Sequence, residues 1–160
     1  CDWSSDVCSS DLDARCVRVR GAAVKPPAVS FIVPVRNDAV RLDHCLRSIR
    51  ANQGNGPAVE IIVVDNGSTD GSPEVARALG ARVITSDAPS VASLRNLAAR
   101  QANGSVLAFV DADHEITASW ARVAAATIGH DRVAATGALC LAPIDGTWVQ
   151  RAYGLPEQWR

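Results

Sequence analysis

The amino-acid sequence predicts an α/β fold, a mostly parallel β-sheet with helices on both faces. Three observations carry that prediction. Short β-branched apolar runs alternate with segments whose apolar residues recur at i, i+3, i+4 and i+7. Turn-forming residues punctuate each change of period. The 160 residues are 48% hydrophobic and 21% charged, enough for one sizeable core and too apolar for a disordered chain.

Residues 1–12, CDWSSDVCSSDL, have no apolar centre, basic flank or period, so they read neither as a signal peptide nor as an element of the fold. They match the in-frame translation of a common sequencing adapter and are taken as a non-native leader, with 13–28 a linker and the domain over 29–160, expected to be truncated at its C-terminal end. Val29 to Val35 reads as the first buried strand. Leu42, Cys45, Leu46 and Ile49 form one face of the first helix, with Asn37 and Asp38 as cap candidates and Gly54-Asn55-Gly56-Pro57 as its stop. Val59 to Val64 is the second strand, breaking into Asp65-Asn66-Gly67-Ser68-Thr69-Asp70-Gly71. Ser72-Pro73-Glu74 starts the second helix and Gly80 stops it. Arg82 to Thr85 is a short third strand, and Val91, Leu94, Leu97 and Ala98 lie on one face of a third helix. Val106 to Val110 is the fourth strand, running into Asp111-Ala112-Asp113. Trp120, Val123, Ala124, Thr127 and Ile128 mark a fourth helix, and Val133 to Leu141 a fifth strand weakened by Gly137.

Composition narrows the function classes. Sixteen Lys+Arg against 17 Asp+Glu, without a clustered basic face, argue against a nucleic-acid partner. The longest uncharged run inside the domain, Val133 to Ile144, falls short of the ~18–20 apolar residues of a transmembrane segment. Outside the leader the cysteines are Cys16, Cys45 and Cys140, spaced neither as a disulfide framework nor as a zinc cluster. Cys45 lies on the apolar helix stripe and reads as a buried thiol. A reducing, cytoplasmic setting is expected, or the cytoplasmic face of a membrane for a longer protein. Lys25 is the only lysine and precedes the first strand, so none is placed for a P-loop or a Schiff base.

In open α/β sheets ligands bind outside the carboxyl ends of the strands. Pro34, Arg36, Asn37 and Asp38 follow the first strand, Asp65 ends the second, and Asp111 and Asp113 follow the fourth. No G-x-G-x-x-G follows the first strand and no G-x-x-x-x-G-K-[ST] occurs, which disfavours a dinucleotide dehydrogenase and a P-loop ATPase. In extended backbone residues i and i+2 point the same way, so Asp111 and Asp113 are expected to converge on one hard cation, Mn²⁺ or Mg²⁺, shared with substrate phosphates. Alone such a pair is more often a solvated turn; its place after a buried strand favours the metal reading. Asp65 reads either as a turn residue or as a carboxylate accepting hydrogen bonds from a nucleobase or ribose. Arg36 and Arg95 read as phosphate partners or as solvated rim. His114 is expected beside the metal rather than on it, since imidazole suits a hard ion poorly. Ser90 and Ser93 lack a His/Asp partner, so no serine nucleophile is expected.

Four segments together resemble the family-2 glycosyltransferases with the GT-A (Rossmann-like) fold: Ser30-Phe31-Ile32-Val33-Pro34-Val35-Arg36-Asn37-Asp38, Ile62-Val63-Val64-Asp65-Asn66-Gly67-Ser68-Thr69-Asp70-Gly71, Arg95-Asn96-Leu97-Ala98 and Phe109-Val110-Asp111-Ala112-Asp113. The resemblance runs from about Val29 to about Ile128. It implies a nucleotide-diphosphate-sugar donor, a divalent metal, and metal-assisted transfer, commonly with inversion, to the hydroxyl of a saccharide, lipid or other acceptor. Pro34, Arg36, Asn37 and Asp38 match the family's first nucleotide-contacting loop, and Asp65 its base-contacting aspartate. Asp111 matches the ribose- or metal-side aspartate of the D-x-D, and Asp113 the metal-coordinating one. Arg36 stands where the family frequently has an aromatic residue, a departure that argues against base stacking there. The family's acceptor half and its usual catalytic base lie after the fifth strand, so the resemblance puts the base beyond Arg160. Asp145, Glu157 and Trp159 are the late residues here, and none sits in a matching motif. The expectation is a donor-binding half that binds donor and metal and turns over poorly.

Two other readings are weighed against it. One is a non-catalytic sugar-nucleotide-binding domain, which would keep the D-x-D and lack the base. The other is a nucleotidyltransferase, disfavoured because no glycine-rich basic loop follows the first strand. A response-regulator receiver also places acids at strand ends, but the lysine its switch requires is missing.

Overall fold

The computed structural model describes residues 29–54, 56–129, 132–138 and 141–142. The leader, the linker, Cys16, Cys140, Asp145, Glu157, Trp159 and Arg160 lie outside the described residues. The catalytic base expected beyond Arg160 falls outside them as well. The elements run β1 (Val29–Val35), α1 (Ala39–Arg50), β2 (Val59–Asp65), α2 (Ser72–Ala78), β3 (Arg82–Thr85), α3 (Val91–Ala99), β4 (Val106–Phe109) and α4 (Trp120–Ile128). The strands form one sheet in the order β3-β2-β1-β4, and every neighbouring pair is parallel.

Burial explains the sequence of β1. It is flanked on both sides and covered on both faces, so all seven residues are buried and an uninterrupted apolar run is required. Alternate residues feed two cores. Val29, Phe31, Val33 and Val35 pack with Ile61, Val63 and Ala108 against Leu42, Cys45, Leu46 and Ile49 of α1, Ala76 of α2 and Ala121 of α4. Ile32, Ile62 and Val64 point the other way, onto Leu94 and Ala98 of α3. Helices therefore cover both faces, as the alternation predicts.

The β1–β2 ladder is in register to its end, Val35 opposite Asp65. The β1–β4 ladder stops earlier, and Pro34 explains why. Val110 N–H donates to the Ile32 carbonyl (3.1 Å), and the parallel pattern would next require a Pro34 N–H on the Val110 carbonyl. Proline has none, so pairing ends there and the chain is free to turn at residues 111–113.

Two expectations are corrected. Residues 133–138 form no strand and are largely exposed: Ala134, Ala135, Gly137 and Ala138 offer little apolar area to hold a strand in a two-sided sheet. In α4 the inward face is built on Ala121 and Ala124, and Val123 is 52% exposed. The small residues let the helix approach closely, and Trp120 rather than Val123 supplies the bulk, its ring 5.5 Å from that of Phe31.

At the opposite end of the sheet from the strand exits, Glu60 ties three segments together. It accepts from Ser30 Oγ (2.5 Å), Asn103 N (2.9 Å) and Asn103 Nδ2 (2.8 Å), while Gly104 N donates to Ser30 Oγ (2.8 Å). Gly104 is required by close approach, since a Cβ there would lie 2.6 Å from Ser30 Oγ and 2.7 Å from Ser30 N. Burial pushes the Glu60 carboxyl up, but the bonds from Asn103 and Ser30 outweigh it and hold the group below its ordinary range. A carboxylate lowered in the folded state stabilises the fold above its unfolded pKa, and that contribution disappears as pH falls through the folded value. Glu60→Gln is therefore expected to destabilise the chain at pH 7, with the deficit against wild type shrinking below about pH 4. Urea denaturation of both proteins at the two pH values checks this.

Candidate functional site

The loops after β1 and β2 are laced to each other. Asn37, in the left-handed region at φ 52°, accepts from Thr69 N through Oδ1 (2.7 Å), while its own N–H donates to Ser68 Oγ (2.9 Å). The expected cap is corrected here: Asp38 occupies the N-cap position of α1, but its side chain makes no cap bond. It pairs instead with Arg41 (2.8 Å), and the carboxylate that accepts from Ala39 N is Asp70 (2.9 Å). Bonds from the Ser72 hydroxyl and then the Ala39 amide hold the Asp70 carboxyl below its ordinary range. Asp70 escapes a reading of the sequence because a cap supplied from another loop leaves no local signature.

Asp65, 2% exposed, ends β2 and accepts from Ser68 N through both oxygens (3.2 and 3.3 Å). Beside it, Asn66 Nδ2 donates to the carbonyls of Ser86 (2.9 Å) and Ala88 (3.2 Å), drawing the β3–α3 loop over the strand ends. This forms a cleft of about 330 Å³ lined by Pro34, Val35, Arg36, Asn66, Ala88, Pro89, Ser90, Val91, Leu94 and Asp111. Of the sequence candidates, Pro34, Arg36 and Asp111 line the cleft. Asn37, Asp38 and Asp65 shape the loops around it, and Arg95 stands behind Asp111. The wall from Ala88 to Leu94 is not legible in the sequence as part of a site; Asn66, within the turn-rich segment, is its one visible signal.

Asp111 also belongs to a second grouping. One ligand atom each from Asp111, Asp113 and His114 lie within 4.8 Å of one another, and all three residues are exposed. The two carboxylates converge as expected, but through a turn rather than extended backbone. His114 N–H closes onto the Asp111 carbonyl (3.0 Å), turning Ala112 into the core and leaving its neighbours outside. His114 Nδ1 meets Asp113 Oδ1 (2.9 Å), Arg41 approaches Asp113 (4.0 Å), and Arg95 Nη2 pairs with Asp111 Oδ1. The two carboxylates are oxygen donors that suit a hard divalent cation such as Mn²⁺ or Mg²⁺, with His114 beside them on Asp113.

The D-x-D turn is anchored from below by α1. Buried Cys45 donates its thiol to the Asp111 carbonyl (3.7 Å); burial, then the carboxylates of Asp113, Glu115 and Asp111, push its pKa up to about 12, so it stays protonated. Ser48 Oγ accepts from Ile116 N (3.0 Å). Asn52, 3% exposed, donates to the Ser48 and Thr117 carbonyls (both 3.1 Å) and accepts from Ala121 N (2.9 Å). Asn52→Ala leaves those buried groups unpaired. We expect a loss of about 1–3 kcal/mol in urea denaturation, with faster amide exchange over residues 114–121.

The family described as Glycosyl transferase family 2 matches this chain over residues 30–157. The glycosyltransferase AglE of Haloferax volcanii is 32% identical over 108 residues, 64% of this chain and 36% of its own. The Staphylococcus aureus protein TarS, residues 1–349, superposes with a TM-score of 0.55 at 30% identity, covering 62% of this chain and 32% of that one. A mannosyltransferase from Pyrobaculum calidifontis, solved with GDP-Man and Mn²⁺, gives a TM-score of 0.60 at 25% identity, covering 69% and 34%. The chain thus spans about a third of the length of each of these relatives. With the parallel sheet, the cleft at its carboxyl end and the four motifs in order, the match over most of its length means that this chain belongs to glycosyl transferase family 2.

Proposed function

We propose that this chain binds a nucleotide-diphosphate sugar in the cleft at the strand ends, and that the protein it represents transfers the sugar to an acceptor hydroxyl with inversion. The observation that carries this reading is the double place of Asp111, which lines the cleft and also belongs to the acidic cluster. Nucleotide and cation would therefore share one carboxylate.

Asp65, which the family resemblance matches to a base-contacting aspartate, keeps acceptor capacity beyond the Ser68 N–H for a nucleobase. Pro34, Arg36, Asn37 and Asp38 form the loop beside the nucleotide, with Arg36 at the lip and Pro34 forming the floor. Asp111 would serve the ribose or the metal, and Asp113 would hold the metal. Arg95 supplies positive charge for the diphosphate. When bound, the divalent cation neutralises charge on the diphosphate leaving group. Support comes from TarS, also solved with UDP-GlcNAc (TM-score 0.52, 31% identity), and from the P. calidifontis enzyme with GDP-Man and Mn²⁺.

Calorimetric titration of the 160-residue chain with UDP-GlcNAc and with GDP-mannose, each with and without Mn²⁺, tests the reading. Saturable binding of at least one donor, strengthened by Mn²⁺, is expected. Failure of both donors at millimolar concentration with Mn²⁺ present would contradict it. Sugar transfer by this chain alone is expected to be poor.

A further inference from the structure

We propose that Arg95 makes cation binding at Asp111 and Asp113 conditional on the anionic donor, because its guanidinium already neutralises the carboxylate that the cation needs. The inference rests on the donor and metal reading above and concerns its regulation. Arg95 Nη2 is paired with Asp111 Oδ1, and the Arg95 side chain is 34% exposed against 49% for Asp111. Asp113 is engaged by His114 and approached by Arg41. Asp111 is thus partnered by a cation of the chain's own, and Arg95 is better sheltered from water than Arg41 or His114.

A cation arriving alone meets a carboxylate whose charge is already partnered and a fixed positive charge beside it. Both effects weaken its binding. A diphosphate reverses the sign. The guanidinium attracts it, and its donors match phosphate oxygens as well as carboxylate. Arg95 Nε is buried without a partner among the described residues, so that nitrogen does not tie the guanidinium to the fold. An arriving phosphate can therefore recruit Arg95 and leave Asp111 free for the cation. By linkage, cation and donor must then raise each other's affinity by the same factor.

The test is Mn²⁺ binding to the 160-residue chain, followed by the loss of the free-ion electron paramagnetic resonance signal, with no nucleotide present and then with UDP or GDP. Arg95→Gln is expected to bind Mn²⁺ alone about fivefold or more tighter than wild type, and the tightening produced by nucleotide to shrink by a similar factor. With no nucleotide present, Arg95→Lys, which keeps the positive charge, should show none of that tightening. Arg100→Gln, the same charge change at the exposed end of α3, should change nothing. Arg95→Met, which keeps the apolar stem, repeats the measurement should the glutamine variant fold poorly. A folded Arg95→Gln or Arg95→Met protein that binds Mn²⁺ no tighter overturns the proposal, as does an equal gain in Arg100→Gln. A wild-type chain binding both Mn²⁺ and nucleotide beside an unchanged Arg95 variant removes this inference alone. A wild-type chain binding neither removes the donor reading with it.

Discussion

Asp113→Ala is expected to abolish Mn²⁺-dependent nucleotide binding while leaving the fold intact. Asp113 sits on the outer side of the 111–114 turn with its side chain 48% exposed, and its partners His114 and Arg41 are exposed as well. Nothing buried loses a partner when the carboxylate goes, so stability should stay within about 0.5 kcal/mol of wild type. The functional loss is of another order. Groups that only orient metal ligands commonly change affinity by about 10–100-fold, and a direct carboxylate ligand should exceed that. A drop of about a hundredfold or more in Mn²⁺-dependent affinity, with an unchanged melting curve, is the expected pair of results. Persisting Mn²⁺ dependence in the folded variant would place the cation elsewhere.

Local pattern makes the elements legible where burial is regular. In β1 the apolar run from Val29 to Val35 is the strand itself, and in α1 the stripe Leu42, Cys45, Leu46 and Ile49 is the set of buried residues. Pattern misleads where tertiary contact chooses among equivalent faces. In α4 both Val123 and Ala121 lie on apolar stripes; contact with Asn52 and the Phe31–Trp120 pair selects the alanine face. The stretch after α4 reads as a strand only while exposure is ignored. At the site, Asp111 and Asp113 are legible from spacing and Asp65 from its place at a strand end. Their settings, the turn closed by His114 N–H and the Ser68 N–H on Asp65, depend on backbone geometry that spacing does not encode. The bonds that Asp70, Asn52 and Asn66 make across 20 to 69 positions of sequence leave no local signature, although Asp70 and Asn66 lie in the turn-rich segment after β2.

The chain's two phenylalanines give the largest expected contrast in stability. Phe31 is fully buried at the middle of β1, and its ring meets Trp120 at an interplanar angle of 52°. Phe109 ends β4, the sheet edge among the described residues, and is 49% exposed. Truncating a buried phenylalanine removes its transfer energy and leaves a cavity that a close-packed core fills poorly, a cost of about 3–5 kcal/mol. Against a typical total of about 5–15 kcal/mol, that is a large share of what holds such a domain folded. Phe31→Ala is therefore expected to lower the melting temperature by roughly 10 °C or more, whereas Phe109→Ala should cost about 1 kcal/mol or less. The loss at Phe31 should also reach the site. Trp120 opens α4, and the neighbouring Ala121 amide is held by the same Asn52 that binds the Thr117 carbonyl behind the D-x-D turn. With its ring partner gone, Trp120 has less to fix that turn against α1. Below its melting temperature, Phe31→Ala should then bind Mn²⁺ and nucleotide more weakly than its unfolded fraction accounts for, and Phe109→Ala should bind them as wild type does. Equal melting temperatures for the two variants would mean that the β1 face is not the core on which the site is built.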